Sequence, residues 1–191
     1  ADTANENLSR AAENFEVERR IVGINGITDK ALFEALAVED IRMAADVLRP
    51  VYDETGGGDG YVSLEVSPHL AHDTAGSIAE AKRLNGSVDR PNVMIKVPAT
   101  AEGIPAIEEL IAGGVNVNIT LMFSMSHYEA VAHAYIKGLE RCADPAKVAS
   151  VASFFVSRVD TEIDKRLDKS GTEEAKALRG KAAIANARLA F

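Results

Sequence analysis

A lysine and a glutamate at two strand-like positions are the side chains best suited to catalysis in this sequence. Lys96 lies inside the apolar run 93–97, and Glu65 lies inside the run 61–66. Burial disfavours the charged ammonium form of a lysine, and a neutral amine is a nucleophile towards a carbonyl carbon. The protonated imine withdraws electrons from a neighbouring bond, while a carboxylate can move protons through a water. The pair therefore predicts imine chemistry.

Other polar side chains occupy strand-like runs where apolar ones would cost less to bury. Side chains alternate between the two faces of a strand, so these polar groups share one face of each predicted strand. The last of them, Arg158, follows a strand and carries a guanidinium fork suited to a phosphate. The candidate site residues are Ser63, Glu65, Lys96, Asn118, Thr120, Ser153 and Arg158.

Each candidate also has a structural interpretation. Lys96 and Glu65 could form a buried ion pair without any catalytic role. Asn118 and Thr120 could hydrogen-bond to each other, and Arg158 could be a surface charge at the start of a helix. The joint occurrence of these groups on one face of successive strands favours a functional site.

The segment 92–124 predicts one βαβ unit. Residues 93–97 and 115–123 are short runs rich in β-branched residues, and apolar residues between them recur at helical spacing. Such a unit implies two parallel strands joined by a right-handed crossover. Alternation along the second strand places Leu121 and Phe123 on the apolar face with Val117 and Ile119.

The rest of the chain repeats this alternation. Strands are predicted near residues 61, 93, 115 and 148, with helices at 77–84, 126–140, 159–167 and 173–189. A helix at 39–48 is predicted to end at Pro50, and weaker patterns suggest a helix within 1–20 and a strand at 21–27. The fold class is therefore α/β, as either a (β/α) barrel or an open doubly wound sheet.

Two motifs do not support the ligands that they suggest. The glycine-rich loop 53–60 precedes a strand, whereas phosphate loops open a helix, and Leu64 stands where a calcium loop needs glutamate. A plain turn is the better interpretation. His69 and His72 have metal-ligand spacing but no partner motif, so a solvent-facing pair is favoured over a metal site.

Composition limits the partners and the location. The chain has 191 residues with a formal net charge of −8, which argues against nucleic acid as a partner. It has neither an apolar run of membrane-spanning length nor a secretory signal, so no membrane partner is expected. The single Cys142 fits a reducing compartment, and we predict a cytoplasmic location.

Four stretches of the sequence resemble transaldolase, in particular the long bacterial form that is also found fused to phosphoglucose isomerase. The likeness begins near Leu36, and IKVPAT followed by GVNVNITLMFS is its most specific part. The matching stretches are DIRMAADVLRPVYDETGGGDGYVSLEVSPHLAHDT, RPNVMIKVPATAEGIPAIEELIAGGVNVNITLMFS, VASVASFFVSRVDTEIDK and LRGKAAIANARLAF.

The resemblance implies a (β/α)8 barrel of the TIM type and a transferase activity. The family transfers a dihydroxyacetone unit from sedoheptulose 7-phosphate to glyceraldehyde 3-phosphate in the pentose phosphate pathway. It implies that Lys96 forms the Schiff base, Glu65 handles protons through a water and Thr120 positions that water. It also implies sugar-phosphate substrates and neither a metal nor an organic cofactor. The implied substrate-pocket residues are Ser63, Asn118, Ser153 and Arg158, with Arg158 on the phosphate.

The sequence also departs from the family pattern. About four of eight strands are recognisable, and the family's first strands, with a catalytic aspartate, and its last two strands have no match. We therefore expect residues 1–191 to form a single partial barrel domain, like the middle of a transaldolase. Two other functions remain open. One is a non-catalytic sugar-phosphate-binding half-barrel that self-associates through open edge strands, and the other is a class I aldolase that cleaves without transfer.

Overall fold

Within residues 29–191, the part of the chain that the computed structural model describes, four parallel strands alternate with helices, and three further helices follow the last strand. The patterns predicted at 1–20 and 21–27 lie outside these residues. The chain divides after Ala37 into two units, and the second, Val38–Phe191, contains the whole sheet. The single-domain prediction for 1–191 stays a prediction. The elements are α1 (Asp29–Glu54), β1 (Val62–Glu65), α2 (Thr74–Val88), β2 (Val93–Pro98), α3 (Gly103–Ala112), β3 (Val117–Met122), α4 (Met125–Arg141), β4 (Ser150–Phe154), α5 (Ser157–Ser170), α6 (Glu173–Ala177) and α7 (Ala182–Ala190).

The strand order shows how the sheet is wound. The four strands lie in the order β1-β2-β3-β4, and every neighbouring pair is parallel. Right-handed crossovers that always step in one direction keep their helices on one face, whereas a doubly wound sheet reverses direction and covers both faces. Accordingly α3 packs against both α2 and α4. The α/β prediction is confirmed, and the winding is that of part of a (β/α) barrel.

The core lies between β2, β3 and the helices that cover them. Ile95 and Val97 of β2 and Val117 of β3 are completely buried, as are Ile107 and Leu110 of α3. Their side chains belong to one continuous apolar cluster. Alternation along β2 and the helical spacing of α3 predicted this face correctly, because burying apolar area is what drives the two elements together.

The end of β3 departs from simple alternation. Leu121 has a φ of 58°, and the pairing with β4 shifts register between Ile119 and Met122. The irregularity advances the alternation by one residue, so Met122 is completely buried in the core while Phe123 is 38% exposed. The prediction that Leu121 and Phe123 continue the apolar face was wrong, because leucine gives no sequence signal for a left-handed residue.

Two helix boundaries also differ from the sequence prediction. Helix α1 continues through Pro50 to Glu54, and an ion pair of 2.8 Å joins Arg49, just before the proline, to Asp53, one turn further along. The helix predicted at 173–189 is two helices, α6 and α7. Gly180 separates them with a φ of 66°, and its N–H donates to the Asp164 carboxylate at 3.0 Å.

The close contact between α3 and α4 provides a test of this packing. A Cβ added at Gly138 of α4 would lie 2.7 Å from the Ile111 Cβ and 2.8 Å from the Glu108 carbonyl oxygen. We expect Gly138→Ala to lower the free energy of unfolding by about 1–3 kcal/mol, because the helices must separate. Urea denaturation measures this change. The control is Gly86→Ala in α2, where no atom lies within 4 Å of the new Cβ and stability should rise by about 0.5–1 kcal/mol. If Gly138→Ala and Gly86→Ala had the same free energy of unfolding, the close contact between α3 and α4 would be contradicted.

Candidate active site

The register of the sheet aligns three of the predicted site residues in one row. Glu65 of β1 pairs with Lys96 of β2, and Lys96 pairs with Asn118 of β3. Paired residues of parallel strands share a face, and here that face is opposite the helix-covered apolar one. Thr120 pairs with Pro98, two residues nearer the carboxyl ends of the strands than the row itself. Those ends are where (β/α) barrels carry their sites.

The amine and the carboxylate predicted to work together are neighbours. The Lys96 Nζ lies 3.7 Å from the Glu65 Oε2, and the two side chains are 31% and 50% exposed. This distance exceeds a direct hydrogen bond, and one water can contact both groups. The expectation of a buried lysine and the alternative of a buried ion pair were both wrong, because the amine is partly open to solvent. An ion pair this exposed contributes little to stability.

A hydrogen-bonded chain joins three of the predicted pocket residues. The Ser153 hydroxyl donates to the Asn118 Oδ1 at 2.8 Å, and the Asn118 amide donates to the Ser63 hydroxyl at 3.0 Å. The chain reaches from β4 through β3 to β1, over β2. It fixes the amide of Asn118 beside Lys96 in the shared row. The alternative in which Asn118 and Thr120 hydrogen-bond to each other was therefore wrong.

Thr120 carries a buried hydroxyl without a partner. The residue is 1% exposed, and its Oγ1 has no hydrogen-bond partner within residues 29–191. Leaving a buried hydroxyl unpaired costs roughly 1–3 kcal/mol, so such groups are rare in folded proteins. The register of β2 and β3 places this hydroxyl on the same face as Lys96 and Asn118.

Arg158 lies in the first turn of α5, beyond the end of β4. Its guanidinium carbon is 4.7 Å from the centre of the Phe155 ring, and the residue is exposed. Within residues 29–191 no carboxylate forms an ion pair with Arg158; Asp168 of the same helix pairs instead with Arg179 at 2.6 Å. No described side chain therefore neutralises this guanidinium. Thr120 and Arg158 join neither the Lys96–Glu65 pair nor the hydrogen-bonded chain.

Thr100 positions the loops that follow β1 and β2, and sequence reasoning missed it. Its hydroxyl donates to the Ala71 carbonyl at 2.6 Å and accepts from the Gly103 N–H at 3.0 Å. Nearby, the Thr74 hydroxyl donates to the Glu102 carbonyl at 2.7 Å. These bonds tie together the loops beyond the strands that carry Glu65 and Lys96. A threonine three residues before a helix begins is a capping signal that could have revealed it.

The two motifs rejected as ligand sites have ordinary roles. His69 and His72 are exposed, as predicted, and the described residues hold no cluster of metal-binding side chains. The hydrogen bond of 3.1 Å between His72 and Glu102 lowers the pKa of the Glu102 carboxyl. In the 53–60 loop, the N–H groups of Gly56 and Gly57 donate to carbonyls of the loop and of α1, which confirms a turn.

No helix within residues 29–191 has the length and apolarity to cross a bilayer.

Comparison with known proteins identifies the family. Residues 3–191 match the model of the family described as Transaldolase/Fructose-6-phosphate aldolase. The chain belongs to this family.

Several curated relatives are at least half identical to the chain. Transaldolase 1 of Streptomyces avermitilis is 55% identical over 99% of the chain and 52% of its own length. The transaldolase of Thermobifida fusca is 54% identical over 93% of the chain and 49% of its own length. That of Acidothermus cellulolyticus is 52% identical over 93% and 48%. The chain thus spans about half the length of the curated relatives that it matches.

The unpartnered hydroxyl of Thr120 leads to a stability prediction. Thr120→Val removes the hydroxyl and keeps the shape, so we expect the free energy of unfolding to stay the same or rise by about 1 kcal/mol. The control is Ser77→Ala. Ser77 is equally buried, but its hydroxyl donates to the Leu70 carbonyl at 2.9 Å, and its loss should cost about 1 kcal/mol. Chemical denaturation of both variants measures the difference. A Thr120→Val variant that loses stability would mean that the hydroxyl has a partner.

Proposed function

We propose that the protein carrying this chain is a transaldolase that acts through a Schiff base on Lys96. The observation that supports this most directly is the partly exposed Lys96 amine 3.7 Å from the Glu65 carboxylate, on the face of the parallel sheet opposite the apolar core. Family membership supports the same reaction. The proposed donor is sedoheptulose 7-phosphate and the proposed acceptor is glyceraldehyde 3-phosphate, within the pentose phosphate pathway of the cytoplasm.

The reaction begins with attack of the neutral Lys96 amine on the C2 carbonyl of the donor ketose. Loss of one water gives the iminium, and Glu65 would supply and remove the protons of this step through a bridging water. The C3–C4 bond then breaks, its electron pair forms the enamine, and the C4 hydroxyl loses its proton as erythrose 4-phosphate leaves. The enamine adds to the acceptor aldehyde, and hydrolysis releases fructose 6-phosphate and the free lysine.

The remaining predicted residues have proposed roles in this scheme. The unpartnered hydroxyl of Thr120 would hold the water that Glu65 uses. The amide of Asn118, fixed by Ser63 and Ser153, would contact the hydroxyl groups of the sugar. Arg158 would bind the phosphate through its guanidinium fork. No residue of this set supplies the base for the C4 hydroxyl.

Simple cleavage is the second candidate reaction. The matched family joins transaldolase with fructose-6-phosphate aldolase, and both names fit an imine at Lys96. In cleavage a proton, rather than an aldehyde, would quench the enamine. Product analysis with and without glyceraldehyde 3-phosphate separates the two. Transfer predicts an acceptor-dependent new sugar phosphate, whereas cleavage predicts free dihydroxyacetone at an undiminished rate.

Trapping the imine tests the central role of Lys96. Borohydride reduction of the full-length protein with fructose 6-phosphate should leave a stable adduct, which peptide mass analysis should place on Lys96. Lys96→Met should abolish the adduct, because a thioether cannot form an imine. The control is Lys82→Met, which removes an exposed lysine of α2 and should keep the adduct. An adduct that persists in Lys96→Met would mean that another lysine is the nucleophile.

The proton-transfer role of Glu65 makes a separate kinetic prediction. Glu65→Gln keeps the size of the side chain but removes its basicity, so we expect turnover to fall by about 100-fold or more. Adduct formation should slow but should still end on Lys96. Glu140→Gln, a change at an exposed residue of α4 outside the row, provides the comparison and should retain turnover. Full turnover in Glu65→Gln would exclude this carboxylate from proton transfer.

A further inference from the structure

Arg158 is one layer of a column of planar groups. The rings of Phe123 and Phe155 stack with their centres 5.0 Å apart and an angle of 24° between their planes. The guanidinium of Arg158 lies 4.7 Å from the centre of the Phe155 ring. A cation over an aromatic face is attracted by the ring quadrupole, and a planar guanidinium also stacks well. The column therefore restrains an arginine that would otherwise be free to change rotamer.

The irregular end of β3 makes this column possible. Because the backbone of Leu121 is in the left-handed region, Met122 takes the core position and Phe123 lies at the partly exposed surface. The Phe155 N–H donates to the Met122 carbonyl at 2.9 Å, which keeps the ends of β3 and β4 together. The two rings can then stack although they follow different strands.

Helix α7 hydrogen-bonds to the backbone of Phe123, one of the two stacked rings. The side-chain amide of Asn186 donates to the Phe123 carbonyl at 2.9 Å. This is a contact between two segments that are far apart in the sequence. It holds the backbone of Phe123 just beyond the irregularity, at a point where β3 has ended and supplies no further ladder bonds.

We propose that Phe155 and Phe123 form an aromatic support that orients the Arg158 guanidinium for the phosphate of the substrate, and that Asn186 positions this support from α7. The inference rests on the proposed function, because it assigns the phosphate to Arg158. Two parallel hydrogen bonds to a phosphate require the plane of the guanidinium to be set. A support that sets this plane before binding reduces the ordering cost that the ligand would otherwise meet. Phe155, Phe123 and Asn186 are thus positioning residues for phosphate recognition.

Binding measurements test the support independently of imine formation. In a Lys96→Met background, calorimetry gives the Kd of the full-length protein for fructose 6-phosphate. Phe155→Leu should raise this Kd about three- to tenfold, because the ring contact with Arg158 is lost. Arg158→Gln should raise the Kd at least as much, and adding Phe155→Leu to Arg158→Gln should raise it no further. The control is Phe154→Leu, since Phe154 packs on Tyr128 instead and should leave the Kd unchanged.

A second comparison separates orientation of Arg158 from general damage to the site. With Lys96 present, borohydride trapping is compared between fructose 6-phosphate and dihydroxyacetone, which has no phosphate. Phe155→Leu should lower the preference for the phosphorylated ketose about three- to tenfold. Asn186→Ala should shift the same preference in the same direction by a smaller factor.

The outcomes distinguish this proposal from the proposed function. An unchanged Kd in Phe155→Leu would overturn the support, as would an equal loss of trapping with both ketoses. If the unmodified protein forms no adduct on Lys96, imine chemistry is wrong. The calorimetric comparison in the Lys96→Met background still decides whether Phe155 orients Arg158, because it needs no catalysis.

Discussion

The direction of winding is the constraint on which the rest of the site depends. Four parallel strands added one after another, with right-handed crossovers, keep their helices on one face of the sheet. That face carries the apolar cluster around Ile95 and Val117. The other face has no helix from these crossovers, so polar groups can stand on it without being buried by one. Lys96, Glu65 and Asn118 share a row because the sheet is parallel and in register.

The irregularity at Leu121 divides β3 into a part that alternates regularly and an end where the residues change faces. Before it, β3 alternates between core residues and the polar pair Asn118 and Thr120. After it, Met122 fills the core and Phe123 turns towards Phe155. A leucine in the left-handed region costs roughly 1–2 kcal/mol, which the surrounding packing must offset. Strain of this kind is known to concentrate at functional sites, and here it lies between the row that contains Lys96 and the stacked rings of Phe123 and Phe155.

The predictable parts of this protein are those that periodicity determines. Alternation and helical spacing gave the four strands, the apolar face of β2 and the row containing Lys96, since each follows from burial. Periodicity could not reveal the left-handed Leu121 or the continuation of α1 through Pro50, because tertiary packing overrides local preference there. The exposure of Lys96 was also beyond it. Sequence alternation assigns a side chain to one face of a strand. How far that face is exposed to solvent depends on which other elements pack against it.

The polar side chains along β3 differ in their hydrogen-bond partners. The Asn116 side chain donates to the Val93 carbonyl at 3.2 Å and accepts from the Ala149 N–H at 2.9 Å, so its amide joins β2 to the segments that lead into β3 and β4. Two residues further along, on the same face, Asn118 is hydrogen-bonded to Ser63 and Ser153. Two residues beyond that, the Thr120 hydroxyl has no partner among the described residues. Buried oxygens without a partner among the described residues occur at both ends of the sheet, since the Asn92 Oδ1 just before β2 also lacks one. The Asn92 amide nitrogen donates to the Ala45 and Gly60 carbonyls, so that residue has a structural role. An unpaired buried oxygen therefore indicates a site only together with its place in the sheet, and Thr120 shares the face of Lys96 and Asn118.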